Sequence, residues 1–159
     1  MIVQRIAHGF TLAEVLVTIA LVAILSAVAL PAYTSFIVRS NRSAAQQFMS
    51  TVASREEQAF LDLRSYVAVT ATANFANSPT AANAGVNLPV STEAGNYYDF
   101  AVTVAAGPPP SYLIAGIPIA GKRNATDHRL YLSSTGLRWR DMNDNGTYEP
   151  GTDVDWSSR

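Results

Sequence analysis

Apolar positions along the chain change their spacing three times. From Val15 to Val38 they are nearly continuous, interrupted only by Thr18, Ser26, Pro31, Thr34 and Ser35. A helix over that stretch would extend roughly 36 Å, enough to cross a hydrocarbon core of about 30 Å. From Arg39 the pattern turns one-sided: Ala45, Phe48, Met49, Val52, Ala59, Phe60 and Leu63 recur at helical spacing. Arg39, Arg42, Arg55, Glu56, Glu57 and Asp62 fall mostly elsewhere on the wheel. One helix from about Phe10 to Arg64 is expected, its second half laying an apolar stripe on a sheet.

The texture then changes to "AVTATANFANSPTAANAGVNLPVSTEAGN", Ala68 to Asn96, rich in Ala, Asn, Thr, Pro and Gly and without a lasting period. It reads as a surface loop within a connection spanning 65–96. Strand periods follow. Phe100, Val102 and Val104 alternate with Asp99, Ala101 and Thr103, "GPPPS" is a turn, and "YLIAGIPIA" is a second strand whose Pro118 argues for an edge or an early end. "RLYLSSTGLRWR" supplies a third strand and a fourth, bent at Ser133 to Gly136. The predicted fold class is α+β: a long helix packed on three or four antiparallel strands.

Composition narrows the functions available. Eleven Lys and Arg against twelve Asp and Glu leave a net charge of −1, so no global field draws the chain to nucleic acid or anionic lipid, although a local basic patch remains open. The absence of cysteine removes disulfides, thiolate metal sites and cysteine nucleophiles together. His8 lies near the N-terminus and His128 stands beside Asp127 and Arg129, so no Ser/His/Asp or metal-histidine constellation assembles, and a non-enzymatic role is expected.

One residue violates the apolar pattern at its start. Glu14 sits among residues suited to a bilayer, where a charge costs about 2.5 to 3.5 kcal/mol and calls for a partner. Snorkelling to the headgroups is the simple reading. The short positive leader with Arg5 places the N-terminal side in the cytoplasm and the rest outside it. A conventional secretory signal cut near Ala29 is the competing reading. Pro31 removes a backbone donor from the helix interior and, taken alone, predicts a kink.

The stretch "GFTLAEVLVTIALVAILSAVALPAY" resembles the N-terminal signature of type IV pilins and pseudopilins: a Gly, Phe-Thr-Leu, a Glu four residues after the Phe, then a long apolar helix. The resemblance is close from about Arg5 to Leu63 and only general beyond. It implies cleavage by a prepilin peptidase between Gly9 and Phe10 and methylation of the new amine. It also implies retention of the helix as membrane anchor and filament core, and pairing of Glu14 with the Phe10 amine of a neighbouring subunit, which would set register. Near Pro31 the family's helix can unwind when subunits pack. The implied organisation is a leader 1–9, an assembly helix 10–38 and a head 39–159, divided into 39–64, 65–96 and 97–159. Implied partners are the peptidase, other pilin subunits, an assembly platform with its ATPases, and the inner membrane, from which the subunit passes to a surface pilus. Adhesion, motility, secretion and DNA uptake are not separated by these residues, and a nucleic-acid partner is left open.

The last stretch with chemistry is "DMNDNGTYEPGTDVDW". Asp141, Asn143 and Asn145 before Gly146 resemble the first half of an EF-hand-like calcium loop, with Glu149, Asp153 and Asp155 able to complete the oxygens. The twelfth position, Thr152, departs from that pattern, and a polar hairpin is the alternative. Some pseudopilins use calcium here where many pilins use a disulfide. The reading favoured by all of this is a type IV pilus subunit. A minor pilin or type II secretion pseudopilin is the alternative within the family, and a membrane-anchored, calcium-stabilised binding module is the alternative outside it.

Overall fold

A computed structural model describes residues 10–75 and 88–156. It contains a long helix α1 (Leu12–Leu63), a 3-10 turn (Thr72–Phe75) and a short helix α2 (Thr92–Gly95). Five strands follow: β1 (Tyr98–Ala105), β2 (Ser111–Pro118), β3 (Arg129–Ser133), β4 (Arg138–Asp141) and β5 (Val154–Asp155). The chain divides into two compact units, Met1–Ile37 and Val38–Arg159.

In the first unit α1 is long and apolar enough to cross a membrane, and the side chains that make it so, from Val15 to Phe36, are exposed. Pro31 lies inside the helix, which continues past it. Thr34 and Ser35 donate their hydroxyls to the carbonyls of Pro31 and Ala32, at 2.9 Å each. Small hydroxyl residues thus satisfy their own polar groups on the helix, as an apolar environment requires.

In the second unit the strands run as an antiparallel meander in the order β1-β2-β3-β4-β5. Alternation puts Tyr98, Phe100 and Val102 of β1, Tyr112 and Ile114 of β2 and Leu130 and Leu132 of β3 in the core with Ala45, Phe48, Met49, Val52 and Ala59 of α1. The helix packs tightly on the sheet at Gly116, where an added Cβ would stand 3.1 Å from Met49 Sδ and 3.3 Å from Phe100. Phe48 packs between Phe75 and Phe100, with ring centroids 5.3 and 4.7 Å away. The opposite face of the sheet has its own aromatic group. Tyr131 stacks on Trp139 at 5.1 Å, Tyr148 meets Trp139 edge-on at 5.6 Å, and the C-terminal loop thereby covers this face.

Four expectations need correction. The sheet has five strands, because residues after the C-terminal loop return to β4 as Val154–Asp155, too short a strand to show a period. Pro118 ends β2 as the early-end reading required, but β2 lies between β1 and β3 and is not an edge. Leu63 is 53% exposed: the helix stops there, Arg64 turns in the left-handed region (φ 57°), and Tyr66 comes back to stack on Phe60 at 4.8 Å. Glu56 belongs to the buried stripe, one turn after Val52 and three before Ala59, and is fully buried.

The connection after α1 is more ordered than its composition suggests. Val69 pairs with Val102 through two backbone hydrogen bonds of 3.0 and 2.7 Å, covering the outer edge of β1. Phe75 is fully buried, and Ser91 caps α2 by accepting the Ala94 amide.

Candidate functional site

Three groups of residues carry chemistry. The first is the helix start. Glu14 Oε2 accepts the backbone amide and the hydroxyl of Thr11, both at 2.8 Å, and the Glu14 amide donates to Thr11 Oγ1 at 3.2 Å. This is a reciprocal capping box, which satisfies amides that the helix geometry leaves without partners and sets a negative group at the positive end of the helix dipole. Within one chain, then, the carboxylate at the edge of the apolar stretch has a partner three residues earlier. Thr11 is legible in the sequence as the Thr of a Thr-x-x-Glu pattern, a partner distinct from both the headgroups and a neighbouring subunit. Phe10 is 86% exposed, and Gly9 lies outside the described residues.

The second group is the C-terminal loop, which brings together five of the six proposed calcium ligands. Asp141, fully buried, accepts the amides of Asn145 (3.2 Å) and Gly146 (2.6 Å). Asp153 accepts those of Met142 (3.0 Å) and Glu149 (2.7 Å). Glu149 takes the side-chain amides of Asn143 (2.9 Å) and Asn145 (2.8 Å). Asp155 stands apart on β5, opposite Trp139. Among the described residues no three His, Asp or Glu side chains form a group able to hold a metal ion. The oxygens that would receive a cation here face N–H donors of the loop itself. Gly146 (φ 80°) supplies the left-handed turn between the two aspartates.

The third group, which the sequence reading missed, is the connection between β2 and β3. Asn124 is fully buried beneath it. Its Nδ2 donates to the Val38 carbonyl (3.1 Å) and to the Tyr98 hydroxyl oxygen (2.9 Å), while Oδ1 accepts Asn41 Nδ2 (2.8 Å). Both amide hydrogens and the amide oxygen are thus directed at the head helix or β1. Asp127 completes the anchor. Arg42 grips it with Nε (2.8 Å) and Nη2 (2.6 Å), the Tyr98 hydroxyl donates to it, and so does the His128 amide (3.0 Å). Burial works to raise the Asp127 pKa, but the hydrogen bonds from Arg42 and Tyr98 and the Arg42 charge prevail and hold it below the ordinary range. Tyr98 is pushed well above its ordinary value by burial and by Asp127. Buried Arg140 interacts with the same Arg42, Asp127 and Tyr98.

On this anchored frame Lys122 and Arg123 are exposed, and Arg39 is exposed one residue after Val38. Among the described residues none of the three forms an ion pair, since Arg42 uses Asp127 and Arg129 pairs with Asp144 at 3.7 Å. Three cations on a rigid frame can bind phosphate oxygens at little ordering cost. Each was visible in the sequence. What assembles them is the 83-residue separation between Asn41 and Asn124, which no local pattern records.

Comparison with known families agrees with both ends of this description. The prokaryotic N-terminal methylation motif matches residues 4–30, the segment with the Gly-Phe junction, the capping box and the first half of the apolar run. This defines the class: a type IV pilin-like chain that carries the N-terminal methylation motif. The family model of the type IV minor pilin ComP, DNA uptake sequence receptor, matches residues 31–131, from Pro31 to Tyr131 of β3. That is well over half of the sequence, and the chain belongs to this minor pilin family. Neither a curated protein nor a solved structure matches. The chain is thus a minor-pilin subunit of a type IV pilus, of a structural family.

Proposed function

We propose that this minor pilin captures DNA for uptake, using Lys122, Arg123 and Arg39 to grip the phosphate backbone. The observation that carries the reading is the family match over residues 31–131, whose description names a DNA uptake sequence receptor and whose span contains all three cations. The surface chemistry agrees with it. With a net charge of −1 the chain cannot attract DNA as a whole, so attraction has to be local, and these cations are not spent on acids of the head. The test is duplex binding by the mature full chain across a salt series. Lys122→Ser and Arg123→Ser are each expected to weaken binding for all sequences alike and to lower the salt slope by about one. Binding that is unchanged in the double variant would move the DNA contact elsewhere.

The assembly steps are part of the same reading. A prepilin peptidase cuts between Gly9 and Phe10 in the inner membrane, and the new amine is methylated. The subunit then joins other pilins through the platform and its ATPases and passes into the pilus. Glu14, satisfied by Thr11 in the single chain, turns to the Phe10 amine of a neighbour on assembly, and Pro31 marks where the helix can loosen. An intact mass corresponding to a methylated chain that starts at Phe10 is the expected outcome, and an uncut Met1 chain in peptidase-competent cells would refute it. The chain acts without catalysis. For the C-terminal loop, closure by its own hydrogen bonds is the reading preferred. Calcium is the competing proposal and would have to displace the amides that now occupy Asp141 and Asp153.

A further inference from the structure

The apolar stretch of α1 ends at Val38, and the Val38 carbonyl is the group that Asn124 Nδ2 reaches at 3.1 Å. Lys122 and Arg123 immediately precede Asn124 in the chain, and Arg39 immediately follows Val38. Two of the exposed cations thus precede the residue that contacts Val38, the last of the bilayer-compatible stretch, and the third follows Val38 itself. The acid closest to them in the chain, Asp127, is neutralised by Arg42 and Tyr98, and buried Arg140 adds positive charge to that network. In a membrane-inserted chain the end of the apolar stretch lies where hydrocarbon gives way to headgroups, and cations held there meet the phosphates of anionic lipids.

We propose that Lys122, Arg123 and Arg39 are held by anionic lipid headgroups while the subunit waits in the membrane, and become available to DNA only after it has passed into the pilus. The second half of this statement rests on the DNA reading above. Lipid phosphate and DNA phosphate compete for the same three groups, so the membrane masks the receptor until assembly. The rigid frame matters to this scheme. Asn124 and Asp127 tie the backbone on the C-terminal side of Lys122 and Arg123 to the head, and occupancy by one phosphate source or the other is the variable that the proposal invokes.

The test places the mature full chain in lipid nanodiscs, either of phosphatidylcholine alone or with phosphatidylglycerol added. Amide hydrogen exchange over residues 121–128 and affinity for duplex DNA are measured in both. Exchange is expected to slow about tenfold in the anionic discs, and to be restored by salt or by the Lys122→Ser, Arg123→Ser double variant. DNA binding is expected to be about tenfold weaker in the anionic discs than in the neutral ones. Equal exchange in the two lipids overturns the proposal, even if DNA binding falls, because that fall would be plain repulsion between DNA and bilayer. Absence of DNA binding in the neutral discs overturns the DNA reading and, with it, the masking. Slowed exchange would then leave a lipid contact alone.

Discussion

Asp127 and Glu56 are both acids at the head half of α1, one gripped by it and one carried on it, yet the two regions treat them in opposite ways. Around Asp127 every oxygen is used: Arg42 donates twice, Tyr98 and the His128 amide once each, and its pKa falls below the ordinary range although burial opposes this. Around Glu56 one oxygen accepts the Val67 amide at 2.8 Å and the other is buried with no hydrogen-bond partner among the described residues. Burial, with the charge of Glu57 adding to it, pushes Glu56 up to about 7 despite the Val67 amide. Partners, and not depth, decide whether a buried acid is an anchor or a weak point.

The comparison can be broken most forcefully at Asp127. Asp127→Ala removes the acid that half-buried Arg42 grips and whose charge offsets buried Arg140, and unfolding by urea should show a loss of about 3 kcal/mol. A loss below about 1 kcal/mol, the value of an exposed pair, would mean that solvent already screens this region.

Glu56 sharpens the contrast through pH. Its folded pKa is above the unfolded value, so between about pH 4.5 and 7 the folded chain holds a proton that the unfolded chain has lost. The contribution of Glu56 to stability should therefore be full below about pH 4.5, fall by about 3 kcal/mol as pH rises to 7, and level off above it. Glu56→Gln keeps an acceptor for Val67 and should abolish that slope whatever its stability at one pH. A slope that survives in the variant would assign the titration to another group. The smallest effect is expected at the C-terminal loop, whose acids are satisfied like Asp127. Adding calcium should shift the melting temperature by less than about 1 °C, and a larger rise would favour the cation.

Much of this was legible in the sequence, and the boundary is physical. The long helix announced itself by composition and then by period, and β1 and β2 by alternation, because each is a local pattern repeated many times. The signature around Gly9, Phe10 and Glu14 was legible for the same reason. Buried Glu56 is legible in part, since Val52, Glu56 and Ala59 share one helical face, but its charge points to the solvated side of the wheel and conflicts with that spacing. Val154–Asp155 is too short to carry a period, and Val69 and Phe75 are buried at irregular spacing in a segment with none. The frame beneath Lys122 and Arg123 depends on Asn41, Arg42, Tyr98, Asn124 and Asp127 meeting from three separate stretches. Such long-range satisfaction of polar groups leaves no local trace.

The closure of the C-terminal loop by Asp141 and Asp153 onto backbone amides bears on how the subunit matures. A cross-link of sulfur requires an oxidant and an enzyme to deliver it, and waits on both. A carboxylate that folds onto amides needs neither, so the head can reach its final form as quickly as the chain emerges, in strongly reducing surroundings as readily as in oxidising ones. The supply of new subunits is thereby uncoupled from the redox state of the compartment that receives them.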